Sequence, residues 1–599
     1  MAMMEARSGP ASAPISPLEI LLAVGIALWA VAILLHNDPG GLSFDPDSYM
    51  HLARFRDGIG IFHGGYFPRD NAPYGTVVPW TAPFDGALAL FYAVGRLFAD
   101  SPGALFFAAR VVSPFFCATI GPIMFFGLRP FFSLRARTVI GGLAATAPQL
   151  VAFSLPGDAD HHAMEVWLSV LFAVALIRYL FIDPARYRDA VATGIAAAVA
   201  LWASPEEFIV VGSGLSALFL HRCLVVRPRA ERAWAQDLAL SGALAIALTA
   251  AWLVDPPYDG LWTRGVERLS VAYVSFAWLF ASALLGLGAY LAKREAFSPP
   301  RNLIAAALLG GTAFLCWIAI APNILGGPLG QVDRTVFGIV VDQTLEMLPM
   351  WWLTDWTGPH LVVLILIAAA FAVVIAKSSG RERWLWIAAA AFMVPITLLG
   401  IRYFRSIYYA EVFGSIPLGL VLAQRTRQYP KYMGYSAVAL SMGVMLGVYS
   451  VAVLVWHQLQ PSYQKFVATA LAVCSLDNLA GAIAPIRESD AIVMTDLNTA
   501  PLVLYLSPRL RTVASPYIGN AEGVLDEFAF FRAQSDEAAR AILDKRRVGF
   551  VLICATGKGE RLEVFKDRIA RETPAWLEPV GARDPQSGFR LFRVRAREG

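Results

Sequence analysis

Charge is scarce in this sequence. Asp, Glu, Lys and Arg make up 16% of its 599 residues, against 57% hydrophobic ones. A soluble globular chain carries about 25% charged residues, and the mean hydropathy of +0.55 places this one in a bilayer as a polytopic membrane protein. Cysteine is scarcer still: five in the chain, with no Cys-x-x-Cys pair, argue against a zinc site and against a disulfide framework. Cys117, Cys223 and Cys316 lie in or beside apolar runs and read as small hydrophobes. No internal repeat stands out, which sets the chain apart from the repeated halves of many transporters. No Ser-His-Asp or Cys-His nucleophile arrangement and no phosphate-cradling glycine loop is evident, so covalent catalysis and nucleotide-bound donors lose their usual signatures. A formal net charge of +4 marks no nucleic-acid partner.

What the sequence has in quantity is long apolar runs. Runs near the ~20 residues that cross a bilayer fall at 17–36, 104–127, 138–154, 164–182, 190–204, 206–220, 237–254, 269–292, 303–321, 360–376, 384–400, 405–423 and 433–456. They predict about thirteen transmembrane helices. Pro17 to Leu35 is too long for a signal-peptide core and reads as a retained anchor behind a disordered cytoplasmic stretch, 1–16. With the N-terminus in the cytoplasm, every second loop is basic: Arg129/Arg135/Arg137, Arg186/Arg188, Arg222/Arg227/Arg229/Arg232, Lys293/Arg294/Arg301, Lys377/Arg381/Arg383 and Arg425/Arg427/Lys431. This is the positive-inside pattern. The alternate loops carry Asp45/Asp47, Asp158/Asp160, Glu206/Glu207, Asp255/Asp259 and Asp333/Asp342/Glu346. The parity requires Phe84–Phe98, flanked by Pro83 and Pro102, to lie on the outer surface as an amphipathic helix.

Beyond residue 457 the composition becomes that of a soluble domain, with strands expected at Ala491–Met494, Val548–Cys554 and Phe589–Val594 and a helix at Asp536–Lys545. The expected fold is a polytopic α-helical domain over 17–456 in the plasma (inner) membrane, followed by an extracytoplasmic, periplasmic α/β domain over 457–599.

Two acidic constellations stand just outside apolar runs: Phe44-Asp45-Pro46-Asp47-Ser48-Tyr49-Met50-His51 and Gly157-Asp158-Ala159-Asp160-His161-His162-Ala163-Met164-Glu165. A carboxylate deep in hydrocarbon costs about 2.5–3.5 kcal/mol on insertion scales, so acidic groups gather where water reaches them. Asp45 and Asp47 are solvated loop residues, or Asp45 caps the next helical turn, or both open onto a site. In the second constellation, carboxylate oxygen and imidazole nitrogen within three positions form a divalent-metal half-site.

In order and sidedness these residues resemble the catalytic subunits of oligosaccharyltransferases, membrane glycosyltransferases of the GT-C superfamily, the archaeal and bacterial single-subunit enzymes above all. Asp47-Ser48-Tyr49-Met50-His51-Leu52 is similar to the family's first acidic motif and Asp160-His161-His162 to its second. Gln343-Thr344-Leu345-Glu346 is similar to its Thr/Ser-x-x-Glu segment, and Gly400-Ile401-Arg402-Tyr403-Phe404-Arg405 holds candidates for its phosphate-binding arginine. The resemblance implies Mn²⁺ or Mg²⁺ held by Asp47, Asp160 and His162, with Asp158 adjoining, and Arg402 or Arg405 on the donor phosphate. Glu346, with Asp47 or Asp45, would orient the acceptor. It further implies a polyprenyl-linked sugar donor lying in the membrane lipid, an extracytoplasmic protein, glycan or lipid acceptor, inversion at the sugar, and action as a single subunit. One departure is plain. The family's aromatic acceptor-reading motif, Trp-Trp-Asp-Tyr-Gly, should fall at Val493-Met494-Thr495-Asp496-Leu497-Asn498, where only Asp496 persists. That leaves open transfer to a lipid, polysaccharide or protein hydroxyl. Transport or lipid flipping ranks third, because the charges cluster at one membrane face.

Overall fold

The computed structural model describes residues 14–38, 40–42, 45–58, 65–182, 186–224, 230–293, 298–327, 332–352, 354–425, 474–554, 564–581 and 587–596. The 433–456 run, the 456/457 boundary, Phe44, Arg227, Arg229, Arg294, Arg427, Lys431 and most of 1–16 lie outside these residues.

Pro17 and a reciprocal capping box between Ser16 and Glu19 start α1 (Pro17–His36). A short helix, α2 (Pro46–Arg56), and a two-stranded hairpin, β1 (Tyr66–Phe67) with β2 (Thr76–Val77), follow. Then come α3 (Ala82–Gly95), α4 (Ser101–Gly127), α5 (Leu134–Ala145), α6 (Pro148–Ala152), α7 (His162–Phe181), α8 (Tyr187–Ala203), α9 (Phe208–Leu224), α10 (Ala230–Val254), α11 (Val271–Ala292) and α12 (Pro299–Ile320). The bundle closes with α13 (Arg334–Gln343), α14 (Thr354–Lys377), α15 (Gly380–Arg402) and α16 (Ile407–Arg425). Among the described residues, ten helices are long and apolar enough to cross a membrane.

Three expected spans are absent from that ten. The 433–456 run is the one outside the described residues. The 138–154 run is broken, because Pro148 lacks an amide hydrogen and holds Ala147 at ψ 126°, separating α5 from α6. The 190–204 run forms α8, stopped after 17 residues at Ser204-Pro205. The Phe84–Phe98 segment is α3, whose 14 residues extend about 21 Å, short of the ~30 Å hydrocarbon core.

The acidic segments around Asp45, Asp158, Glu206 and Glu346 come together in one cluster. Among the basic loops, Glu19 takes Arg129 at 2.9 Å and Arg137 at 2.8 Å, and Asp237 takes Arg222 at 2.6 Å. Within the bundle, small residues let helices close up: a Cβ on Gly121 would stand 2.6 Å from the Gly141 carbonyl. The buried end of the broken helix is also satisfied. Glu411 of α16 accepts the Gln149 amide at 2.8 Å and meets His360 of α14 at 2.6 Å.

The C-terminal domain carries a five-stranded sheet, β4 (Arg511–Thr512), β3 (Ile492–Met494), β5 (Phe550–Cys554), β7 (Phe589–Val594) and β6 (Leu577–Val580) in spatial order. β3 runs parallel to β4 and β5, while β7 is antiparallel to β5 and β6. One expectation is corrected here: Cys474 and Cys554 form a disulfide. The two are distant in sequence, and it is the sheet that brings the end of β5 to the chain entering the helix Leu476–Ile483.

This domain sits on α2. Arg56, at the C-terminal end of α2, donates to the carbonyls of Tyr505, Leu504 (2.9 Å) and Ser507 (3.4 Å). Arg69 donates to those of Ser507 (2.7 Å), Leu510 (3.0 Å) and Leu504 (3.0 Å). The two guanidiniums therefore cap the C-terminal carbonyls of the helix Ala500–Leu506, and Asp57 pairs with both. Replacing Arg69 by Met removes one of the two guanidiniums from Asp57, Leu504 and Ser507 and takes the side-chain donor from the Leu510 carbonyl. The expected cost is about 1–3 kcal/mol, seen as a lower melting temperature and faster proteolysis of the C-terminal domain.

Candidate active site

Asp45 and Pro46 set up the first turn of α2. The Asp45 carboxylate accepts the amides of Asp47 (3.4 Å) and Ser48 (2.9 Å), so it is an N-cap. The second constellation reaches this turn through Gly157, whose φ of +95° suits glycine and whose Cβ would lie 2.2 Å from the Gly41 carbonyl. Ser48 Oγ is 3.0 Å from both Asp45 and Asp158. One hydroxyl hydrogen serves one of these bonds, so the other needs a proton on a carboxyl group. Burial, reinforced by Asp160, pushes the Asp158 carboxyl up to about 7. Burial and the nearby Asp47 and Asp160 likewise hold Asp45 well above the usual carboxylate range. Asp47 is raised to about 7 by burial and by the charges of Asp160 and Glu346.

Asp160 stays ionised for the opposite reason. Burial pushes its carboxyl up, but the imidazoles of His162 and His161 outweigh it and hold the group low. His162 opens α7 with Nδ1 3.1 Å from Glu165 Oε2, which also accepts the Tyr408 hydroxyl at 3.0 Å. The other nitrogen, Nε2, is buried without a hydrogen bond and lies 3.1 Å from Asp160 Oδ2 and 3.5 Å from Glu346 Oε1. With Nδ1 turned to Glu165, Nε2 is aimed at two carboxylates, where a divalent cation can take the place of its proton.

Glu346 stands in a 3-10 turn after α13 and accepts from Arg405 Nη1 at 3.1 Å. Arg405 Nη2 donates to Glu206, and Nε is buried without a partner. Arg402 ends α15, is exposed, and lies over the Tyr403 ring at 4.6 Å. Of the two arginines, Arg405 faces the cluster. Asp496 does not join it: its carboxylate accepts the Thr499 amide at 3.0 Å, at the head of the helix Ala500–Leu506.

Several neighbours were given no role by the sequence reading, His51 and Glu165 among them although both stand in the two constellations. His51 lies one turn along α2 from Asp47, and burial lowers it to about 4. It stacks on Trp80 at 3.9 Å and lies 3.4 Å from Asp85, while Glu165 sits behind His162. The spacing His162-x-x-Glu165 was a signal for the last of these. Tyr517 had none, since it comes from the C-terminal domain. Its buried hydroxyl faces Asp47 and Asp45, and its ring meets Trp80 at 4.9 Å.

No known family profile matches the sequence, and no curated protein does. Solved structures do. The archaeal oligosaccharyltransferase AglB from Archaeoglobus fulgidus, bound to an inhibitory peptide and a dolichol-phosphate, superposes with a TM-score of 0.66 at 15% identity, over 90% of this chain and 69% of that one. An Archaeoglobus fulgidus oligosaccharyltransferase in the apo form gives 0.64 at 15% identity, over 89% and 69%.

The chain has the oligosaccharyltransferase fold. A further structure sharing it, an Archaeoglobus fulgidus oligosaccharyltransferase with Zn and sulfate, gives 0.60 at 14% identity, over 89% of this chain and 67% of that one. At these identities the likeness is one of fold, and the chemistry rests on the side chains above.

Protons compete for the same oxygens as a cation. With Asp47 raised to about 7, divalent-cation affinity is expected to fall about tenfold per pH unit below that value and to level off above it. Calorimetric titration with Mn²⁺ between pH 8 and pH 5.5 measures the slope.

Proposed function

We propose that the protein is a membrane glycosyltransferase that takes a sugar or oligosaccharide from a polyprenyl-(pyro)phosphate donor and transfers it, with inversion, to an extracytoplasmic acceptor. One observation carries the reading: an acidic cluster, an imidazole nitrogen aimed at two carboxylates and an inward-facing arginine come together, with an apolar cavity nearby in the bundle. The cavity, about 1770 Å³, is lined by Phe172, Phe208, Phe280, Trp317, Trp386 and Phe413 among others. It follows α9 from Phe208 to Leu224. Glu206, the partner of Arg405, precedes Phe208 by two residues, so an isoprenoid tail in the cavity leaves its headgroup beside Arg405.

In this reading Asp47, Asp160 and His162 hold Mn²⁺ or Mg²⁺, with Asp158 behind them. The ion supplies neutralisation of the charge that builds on the departing phosphate. Arg405 binds that phosphate through its free Nε and planar fork. Glu346, held by Arg405, and Asp47 orient the acceptor and take its proton, while Asp45 keeps the first turn of α2 in place. Orientation with the C-terminal domain outside the cytoplasm is supported by the alternation of basic and acidic loops along the sequence and by the Cys474–Cys554 disulfide, a bond of oxidising compartments.

A specific packing feature favours a hydroxyl on a glycan, lipid or protein as acceptor over a sequon asparagine. Where the aromatic reading motif would stand, Leu497 is buried against Val336, Ile339 and Val340 of α13.

The test is transfer by the purified full-length chain from defined polyprenyl-phosphate and polyprenyl-pyrophosphate sugars, with Mn²⁺ or chelator, read by mass spectrometry. Asp160→Asn and Asp47→Asn are each expected to lower turnover by at least ~100-fold, with expression intact. Arg405→Ala should act chiefly on donor KM, and Arg402→Ala should leave both constants unchanged. Full turnover in both Asp variants refutes the assignment.

A further inference from the structure

We propose a second divalent-cation site, formed by His51, His161 and Asp160 on the side of Asp160 away from His162. It rests on the reading above only in taking Asp160 as a metal ligand.

His51 Nε2 and His161 Nδ1 face each other at 3.4 Å. Each ring turns its far nitrogen to a carboxylate: His51 Nδ1 lies 3.4 Å from Asp85 Oδ1, and His161 Nε2 lies 3.5 Å from Glu165 Oε1. Arg54 stands 3.4 Å from the other oxygen of Asp85 and keeps that group a carboxylate. A carboxylate behind an imidazole takes its ring hydrogen and leaves the opposite nitrogen as a lone pair. His51 Nε2 is therefore directed to accept, and His161 Nδ1, whose hydrogen goes to Asp160 in the metal-free protein, turns a ligand lone pair to the same space once a cation displaces that hydrogen. Asp160 Oδ1 completes the group, 2.6 Å from His161 Nδ1 and 3.9 Å from His51 Nε2.

The spacing of the two nitrogens suits an ion. Zinc–nitrogen bonds of ~2.0–2.1 Å at tetrahedral angles place two ligand nitrogens about 3.4 Å apart. Two imidazoles with one carboxylate favour Zn²⁺ over Mg²⁺. The His51 ring is held by Trp80 on its face at 3.9 Å and Phe84 at 4.6 Å, so its ligand nitrogen is already aimed. Asp160 presents Oδ1 to this pair and Oδ2 to His162, as a carboxylate shared by two cations does; such paired ions stand ~3.5–4 Å apart and clamp both oxygens of a group in transfer. With three protein ligands, one position stays open for a phosphate oxygen or water.

Equilibrium dialysis of the full-length protein against Zn²⁺, followed by elemental analysis, tests the proposal. The wild type is expected to retain about two Zn²⁺ per chain, His51→Gln and Asp47→Asn about one each, and Asp160→Asn close to none. Asp85→Asn keeps every ligand but loses the orienting charge, and should weaken one of the two sites about 10–100-fold. Melting of each variant in chelator, unchanged from the wild type, shows that the losses are not unfolding. A single Zn²⁺ in the wild type that survives His51→Gln and is lost in Asp47→Asn overturns the second site and leaves the first standing. No bound Zn²⁺ at all overturns both.

Discussion

The site depends on the contact between the first turn of α2 and the segment 157–162. Neither segment alone could keep its acidic groups close: like charges at this depth repel, and burial penalises each one. Ser48 between Asp45 and Asp158, and the imidazoles around Asp160, divide the problem. One set of carboxyl groups is pushed toward its protonated form and the other is held as anions. A cation entering there would relieve both burdens, which is the physical basis of the metal site proposed above.

The C-terminal domain belongs to this arrangement as much as the bundle does. Arg56 and Arg69 clamp α2 from one end while Tyr517 closes over Asp47 at the other. The helix that carries the first acidic motif is thus shared between domain and bundle. That accounts for a domain of this size covering a site whose charged groups all come from the membrane part.

Much of the fold was legible in the sequence, because apolar length and the alternation of basic and acidic loops are strong signals that need no tertiary knowledge. Pro148 and Pro205 mark where expected runs depart from single long helices: an apolar run measures burial, and proline decides whether the run is one helix. The chemical residues were legible where ligand types sit close in sequence, as in Asp160-His161-His162. Arg402 and Arg405 could not be ranked from spacing, since the choice depends on α15 ending at Arg402 and on the turn that sends Arg405 inward. Asp45 was read both as cap and as site, and its bonds make it a cap whose charge still weighs on the cluster. The disulfide and Tyr517 depend on long-range pairing in the C-terminal sheet and left no local trace.

The break at Pro148 has one more effect. Glu411 seizes the exposed amide at the start of α6, so the stub that leads into the 157–162 segment is fastened to the same helix that follows Arg405. The stub that leads to Asp158 and Asp160 and the turn that carries Arg405 are consequently anchored to one helix, whereas α13 and the Glu346 turn reach the cluster from a different part of the chain.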